Sequence, residues 1–166
     1  NGHISPVYYS VLARSGFFPV EELQTFRLLD SRLQGHPTTH EKLPGVRIAS
    51  GSLGQGMSVA LGAAAAKKLN QDNSLIYSLH GDGELQEGQN WEAILYAGSK
   101  GVDNLIATID VNGKQIDGST DDVLHMGDLQ EKFQAFGWKV ITIKDGNDIS
   151  SIIDGLNQAK KETNNG

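Results

Sequence analysis

Apolar positions along the chain recur first at helical spacing and later in short strand-like runs. Ser5 and Pro6 read as a helix start, with Ser as the cap and Pro at the first helical position. Val7, Tyr8, Val11 and Leu12 follow at helical spacing, and Gly16 stops the helix. A second short helix is predicted over residues 20–29. Residues 30–50 contain Gly35, Pro37, Pro44 and Gly45 and read as an irregular connection, a length that in a compact domain points to function or mobility. A Gly-rich turn, Gly51-Ser52-Leu53-Gly54-Gln55-Gly56, then leads into residues 57–69. Ala60, Gly62 and Ala63 to Ala66 make that helix small enough to approach a sheet closely.

From residue 75 the pattern alternates. Strands are predicted over 75–79, 104–110 and 138–143. Helices are predicted over 87–100 (Trp91, Ile94 and Leu95 facing inward), 128–136 (ended by Gly137) and from a cap at Asn147 or Asp148 to about 162. Trp91 and Trp138 read as core residues. Short strands rich in Ile, Val and Leu that alternate with helices predict a doubly wound α/β fold with a mostly parallel sheet and helices on both faces.

Composition adds limits. With 166 residues, 38% hydrophobic and 20% charged, one soluble domain with its own core is expected. A net charge of −6 argues against a nucleic-acid partner. No apolar run approaches the roughly 20 residues of a membrane span. The absence of cysteine removes disulfide and thiolate chemistry and is compatible with a cytoplasmic location. Asn1-Gly2-His3 at the start and the polar residues at the end read as cut edges of a longer protein.

Two turns hold the candidate chemistry. Gly81-Asp82-Gly83 follows the first of the alternating strands, and Asp110-Val111-Asn112-Gly113 follows the second. Ligands of open parallel sheets bind beyond the carboxyl ends of strands. Asp82 and Asn112 are separated by about one βαβ step, so they can face each other there. A carboxylate and an amide oxygen suit a hard cation, Mg2+ or Ca2+, which a diphosphate and a backbone carbonyl would help to surround. Glycines on both sides of Asp82 let backbone approach a phosphate. Alone, each segment also reads as an ordinary turn. The dinucleotide fingerprint is incomplete, because Gln86 stands where its third glycine belongs, and no P-loop sequence occurs. His36 and His40 have i, i+4 spacing, but Pro37 speaks against a helical metal site.

The turn pair resembles the thiamine-diphosphate signature, a Gly-Asp-Gly followed about 30 residues later by Asn. GDGELQEGQNWEA from Gly81 is similar to the transketolase family in particular. So are NGHISPVYYSVLARSGFFP at the start, GHP at Gly35, SGSLGQGMSVALGAA from Ser50, DVNGKQIDG from Asp110 and LQEKFQAFGWKVITIKDGND. The likeness is greatest to the N-terminal subunit of split transketolases. Ile4 and Val111 depart from the family pattern without removing a proposed ligand.

The resemblance implies a set of roles. Asp82, the Asn112 side chain and the Lys114 carbonyl would hold Mg2+ or Ca2+. His3, Gly51, Leu53, Gly81, Asp82, Gly83, Glu84 and Asn112 would contact thiamine diphosphate. His3 and His36 would line the cofactor and substrate channel and handle protons. Glu87, with Glu92, would link active sites across a subunit interface; as residues early in a helix, both also suit the helix dipole. The implied activity is two-carbon ketol transfer between sugar phosphates, a reaction of the pentose phosphate pathway. A pyrimidine-domain C-terminal partner is needed for turnover, in a homodimer or heterotetramer. The alternative is a catalytically inactive, thiamine-diphosphate-binding or self-associating module.

Overall fold

The structure, a computed structural model, describes residues 1–163. The chain divides into two compact units, the first Asn1–Leu53 and the second beginning at Gly54.

In the first unit a 3-10 turn (Gly2–Ile4) leads into α1 (Ser5–Arg14). Ser5, Tyr9, Leu12 and Ala13 form its buried face, at the i, i+4, i+7 spacing of an amphipathic helix. They pack with Phe18, Leu33, Leu43 and Val46. The irregular connection is fixed by hydroxyls from α1. Ser5 Oγ donates to the Gly35 carbonyl (2.6 Å), Tyr9 Oη to that of Gln34 (2.9 Å), and Tyr8 Oη to that of Gly45 (3.1 Å). Ser5 is therefore not the helix cap. The cap position is Ile4, without a side-chain bond, and the Ser5 hydroxyl serves the loop instead. The predicted helix over 20–29 shortens to a 3-10 turn, Val20–Thr25. Beyond it Arg27 takes a left-handed backbone (φ 60°) that breaks the helix, and its N–H bonds the Leu33 carbonyl.

The second unit opens with α2 (Gln55–Leu69), capped by Gly54 at φ 82°. Next come β1 (Ile76–Gly81), α3 (Gly88–Ser99) and β2 (Leu105–Asp110). The strands pair in parallel, with Ile76 opposite Leu105 and Gly81 opposite Asp110. α2 packs on both strands through Met57, Ala60 and Ala64, where small side chains permit close approach. A buried amide ties these layers, as Asn104 Nδ2 donates to the Ala64 carbonyl (3.0 Å). The α/β class expected from the alternating pattern is the class found.

α3 turns Asn90, Ala93, Ile94 and Ala97 inward. Leu95, expected to face the core, is 49% exposed, because Ile94 and the two alanines occupy the inner stripe. Residues 112–122 contain a tight hairpin of β3 (Lys114–Gln115) and β4 (Gly118–Ser119), then the start of α4 (Thr120–Leu124). Asp128, read as the first helical residue, is the cap of a shorter α5 (Leu129–Ala135), whereas α6 (Ile149–Glu162) is capped by Asp148, one of the two caps the sequence offers. The third predicted strand is the main correction. Among the described residues, 138–143 joins neither sheet, and β1 and β2 form a two-stranded pair. Its start is held by side chains instead: the Trp138 indole N–H donates to the Ile94 carbonyl (2.9 Å), and its ring meets Phe133 edge-on. Trp91 is likewise core, bonded to the Leu85 carbonyl (2.8 Å). No described helix is long and apolar enough to cross a membrane.

Candidate cofactor and metal site

The parallel register decides the first cluster. Because Gly81 pairs with Asp110, both turns leave the sheet at the same carboxyl edge, and Asp82 N–H bonds the Asp110 carbonyl (3.0 Å). Asp82 is only 4% exposed. Its carboxylate accepts the N–H of Gly83 (2.9 Å) and, across the edge, that of Gly113 (2.8 Å). Thr120 Oγ1 stands 3.5 Å away. Asn112 is exposed beside it, its Oδ1 accepting the Lys114 N–H (2.8 Å) and its Nδ2 donating to Asp110 Oδ2 (3.1 Å). The structure thus brings Gly81, Asp82, Gly83, Asn112 and Lys114 to one place.

The donor set fits a hard divalent ion. Among the described residues Asp82 forms no ion pair, and a buried carboxylate without a counter-charge costs several kcal/mol. A cation bound at its free lone pairs would remove that cost. No three His, Cys, Asp or Glu side chains gather into a metal cluster among the described residues, so amide and backbone oxygens are the complement available here. Gly83 lies close against the hairpin. A Cβ there would stand 3.1 Å from the Gln115 Cβ, so a larger residue would press on the hairpin.

Glu84 is placed differently. It is buried, and its Oε1 accepts the Gly54 N–H (3.1 Å), tethering the start of α2. Burial pushes its carboxyl up, but the adjacent His80 imidazole and the backbone N–H groups outweigh this and hold it below the ordinary value. His80, unassigned by the sequence, is fully buried with Nδ1 3.4 Å from Glu84 Oε2. It also packs on Gly56, where a Cβ would stand 3.3 Å from its Cε1. Neither residue type nor spacing offered a signal for this pair, since His80 lies in a strand and i, i+4 spacing signals a contact only on a helix. Glu87 occupies the N-cap position of α3 without a capping bond, and Glu92 is exposed one turn later.

The second cluster lies within the first unit. The His3 and His36 rings meet edge-on, with centroids 4.8 Å apart. Gly51 makes this possible: at φ 128°, a Cβ on it would stand 2.6 Å from the His36 ring. Gly2 is equally close to the backbone of Ser50 and Gly51. Leu53 is partly exposed at the end of this loop.

A parallel α/β unit with a buried carboxylate and an amide at adjoining strand ends, flanked by glycines, has the layout of folds that bind ligands beyond the carboxyl ends of their strands. Comparison with known proteins narrows this. The family model described as "Transketolase, thiamine diphosphate binding domain" matches residues 1–166. The chain is 46% identical over 155 residues to one subunit of an apulose-4-phosphate transketolase from Actinobacillus succinogenes, covering 93% of this chain and 55% of that protein. It is 41% identical over 160 residues to one subunit of a 6-deoxy-6-sulfo-D-fructose transketolase from a Clostridium species, covering 96% and 58%. A crystal structure of transketolase from Campylobacter jejuni superposes with TM-score 0.88 at 39% identity, covering 96% of this chain and 26% of that one. A transketolase from Pichia stipitis superposes with TM-score 0.90 at 36% identity, covering 99% and 26%. The chain spans little more than half the length of the two curated relatives. It belongs to the transketolase thiamine-diphosphate-binding domain family.

Proposed function

We propose that residues 1–166 form one diphosphate-binding domain that supplies half of a ketol-transfer site, completed by a chain bearing the pyrimidine-binding domain. The observation that carries this reading is the buried Asp82 carboxylate, bridged to the second strand's turn by the Gly113 N–H and lacking any ion pair among the described residues. Asp82, Asn112 Oδ1 and the Lys114 carbonyl would hold Mg2+ or Ca2+, with Gly81 and Gly83 against the diphosphate. Gly51, Leu53 and His3 would contact the rest of the cofactor. Thiamine diphosphate, when bound, supplies the carbanion-stabilising chemistry.

The chain's own residues bind, orient and move protons. The strand-end clamp fixes the diphosphate and so the position of the reactive ring. His3 and His36, held ring to ring, would exchange protons with substrate hydroxyls. Substrates on this reading are sugar phosphates or sugars with another anionic end, in keeping with the names of the two split-enzyme relatives. The outer face of α3, with Glu92, Leu95 and Tyr96 exposed and Glu87 at its start, supports a role as a protomer contact in a homodimer or heterotetramer. The cytoplasm is the compartment that fits such metabolism.

The test is titration of thiamine diphosphate with and without Mg2+, followed by a ketol-transfer assay after addition of a pyrimidine-domain partner. Metal-dependent binding that disappears in Asp82→Ala, with turnover only in the presence of the partner, is the expected result. Binding without turnover under any partner would leave a non-catalytic module. Metal-independent binding would remove the clamp.

A further inference from the structure

In the second unit three ionisable side chains within five residues are buried: His80, Asp82 and Glu84, at 1%, 4% and 8% exposure. The outer two flank Asp82 and touch each other, with His80 Nδ1 3.4 Å from Glu84 Oε2. The turn Gly81-Asp82-Gly83 is thereby closed at its base, the residue before it against the residue after it. Glu84 is also fixed at both of its ends. Its Oε1 accepts the Gly54 N–H at the start of α2 (3.1 Å), and its carbonyl accepts Asn90 Nδ2 from the first turn of α3 (2.6 Å). Asn90 is itself fully buried. His80, near the end of β1, packs on α2 at Gly56, where a Cβ would stand 3.3 Å from its Cε1. Its Nε2 is buried with no hydrogen-bond partner among the described residues. An apolar side chain would fill that space without an orphaned ring nitrogen, so packing alone does not account for a histidine here. The contact with Glu84 does.

We propose that His80 and Glu84 are positioning residues for the strand-end clamp. They hold the Asp82 carboxylate in the orientation that reaches the Gly113 N–H across the sheet edge and leaves its remaining lone pairs to a cation. This assignment rests on the reading of Asp82 as a metal ligand. A ligand oxygen must be held to about 0.5 Å to serve its metal. The turn does not supply this by itself, because a glycine on each side of Asp82 gives the backbone wide freedom. Glu84 removes that freedom by joining three elements: β1 through His80, α2 through Gly54 and α3 through Asn90. The two buried acids differ in what they have left to offer. Asp82 forms no ion pair among the described residues, whereas both Glu84 carboxylate oxygens already have protein partners. Glu84 therefore acts through Asp82 and has no need to touch the cofactor.

Variants of the full chain test this with two readouts. One is the NMR amide signal of Gly113, whose N–H bonds Asp82 from across the sheet edge, far in sequence from the substituted residues. The other is calorimetric titration of thiamine diphosphate with Mg2+. His80→Leu and Glu84→Ala should shift the Gly113 signal in the unliganded chain and weaken metal-dependent binding about ten- to a hundredfold, the range for outer supports of metal ligands. Glu84→Gln should recover most of the affinity, because its amide oxygen still accepts the Gly54 N–H and its NH2 group can donate to the His80 ring. The control is Asn104→Ala, which breaks the buried tie to the Ala64 carbonyl elsewhere on α2. It should lower the unfolding temperature and leave the Gly113 signal and the affinity at parent values. A parent-like signal and affinity in folded His80→Leu overturn the assignment. So does an equal loss of affinity in Asn104→Ala, which would mean that any loosening of α2 weakens the site. His80→Leu and Glu84→Gln keep the test available if Glu84→Ala folds poorly. A parent chain without metal-dependent binding defeats the reading of Asp82 as a ligand, and the Gly113 signal still judges whether His80 and Glu84 position it.

Discussion

The turn around Asp82 and the loop around His36 hold polar groups in opposite ways. Asp82 is set by a sheet: strand register brings Gly113 to it, and the carboxylate is buried. His36 is set by an irregular connection pinned from α1 by three hydroxyls, and its ring is exposed. The first arrangement suits a group that must not move, such as a metal clamp. The second suits groups that meet a changing substrate, because loop side chains sample more positions than strand ends. The strand-end region should therefore lose function through charge and core packing, and the loop region through backbone and hydroxyl changes.

The largest expected effect lies beneath the strand ends. Ile94 is fully buried in the core cluster it shares with Met57, Leu85 and Leu105, so Ile94→Ala should destabilise the chain by about 2–5 kcal/mol in denaturant unfolding. A cost below about 1 kcal/mol would mean that the strand edge does not depend on this core. Next, Asp82→Ala should weaken metal-dependent thiamine-diphosphate binding by at least about 100-fold in calorimetric titration, since even indirect supports of metal sites cost ten- to a hundredfold. Asp82→Asn, which keeps the acceptor for Gly113, should lose the metal dependence yet unfold at nearly the parent temperature.

In the loop region, Gly51→Ala places a methyl against the His36 ring at a backbone angle that side chains disfavour. A loss of about 1–3 kcal/mol is expected, with altered His3 and His36 ring signals. Unchanged signals would show that Gly51 does not set the ring pair. Ser5→Ala removes the buried hydroxyl from the Gly35 carbonyl and should cost about 1–3 kcal/mol, the range for one orphaned buried partner.

The smallest effect is on pH dependence. The Lys67 ammonium and Ser74 hold the Asp72 carboxyl below its ordinary range, and hydrogen bonds from Ser151 do the same for Asp148. A carboxyl lowered on folding adds stability that is fully present above its unfolded pKa. That stability is lost as pH falls through the folded value. Thermal unfolding followed from pH 7 downward should show a shallow loss that begins as the pH enters the ordinary carboxylate range and continues below it. Asp148 is exposed and Asp72 is only half-buried, so added salt should shrink the Lys67 contribution. An equally steep loss in an Asp72→Asn, Asp148→Asn double variant would assign it elsewhere.

Much of the site was legible from residue order. Gly-Asp-Gly after one strand and Asn after the next can be placed at a common edge because parallel βαβ units are stereotyped, and the structure put them there. The cap at Asp148 was legible for the same kind of reason, since a short acceptor before an apolar helical run satisfies local N–H groups. Ser5 misled because a hydroxyl at a helix start can serve either the helix or a neighbour. Its choice depended on Gly35, thirty residues away. The 138–143 segment misled because alternating apolar residues specify a surface to bury and leave open whether a strand partner is present.

By itself, then, the sequence determined the α/β class, the helix with small residues, and the meeting of the Asp82 and Asn112 turns at one sheet edge. These follow from local propensity, periodicity and residue chemistry. Only the tertiary structure decided that the Asp82 carboxylate is buried and bridged to Gly113, and that Glu84 is engaged by Gly54 and His80. It alone also left Arg27 without an ion pair among the described residues while Arg32 is paired. Each of those outcomes is a competition among partners distant in sequence for one polar atom. It is settled by which of them packing brings within hydrogen-bonding reach.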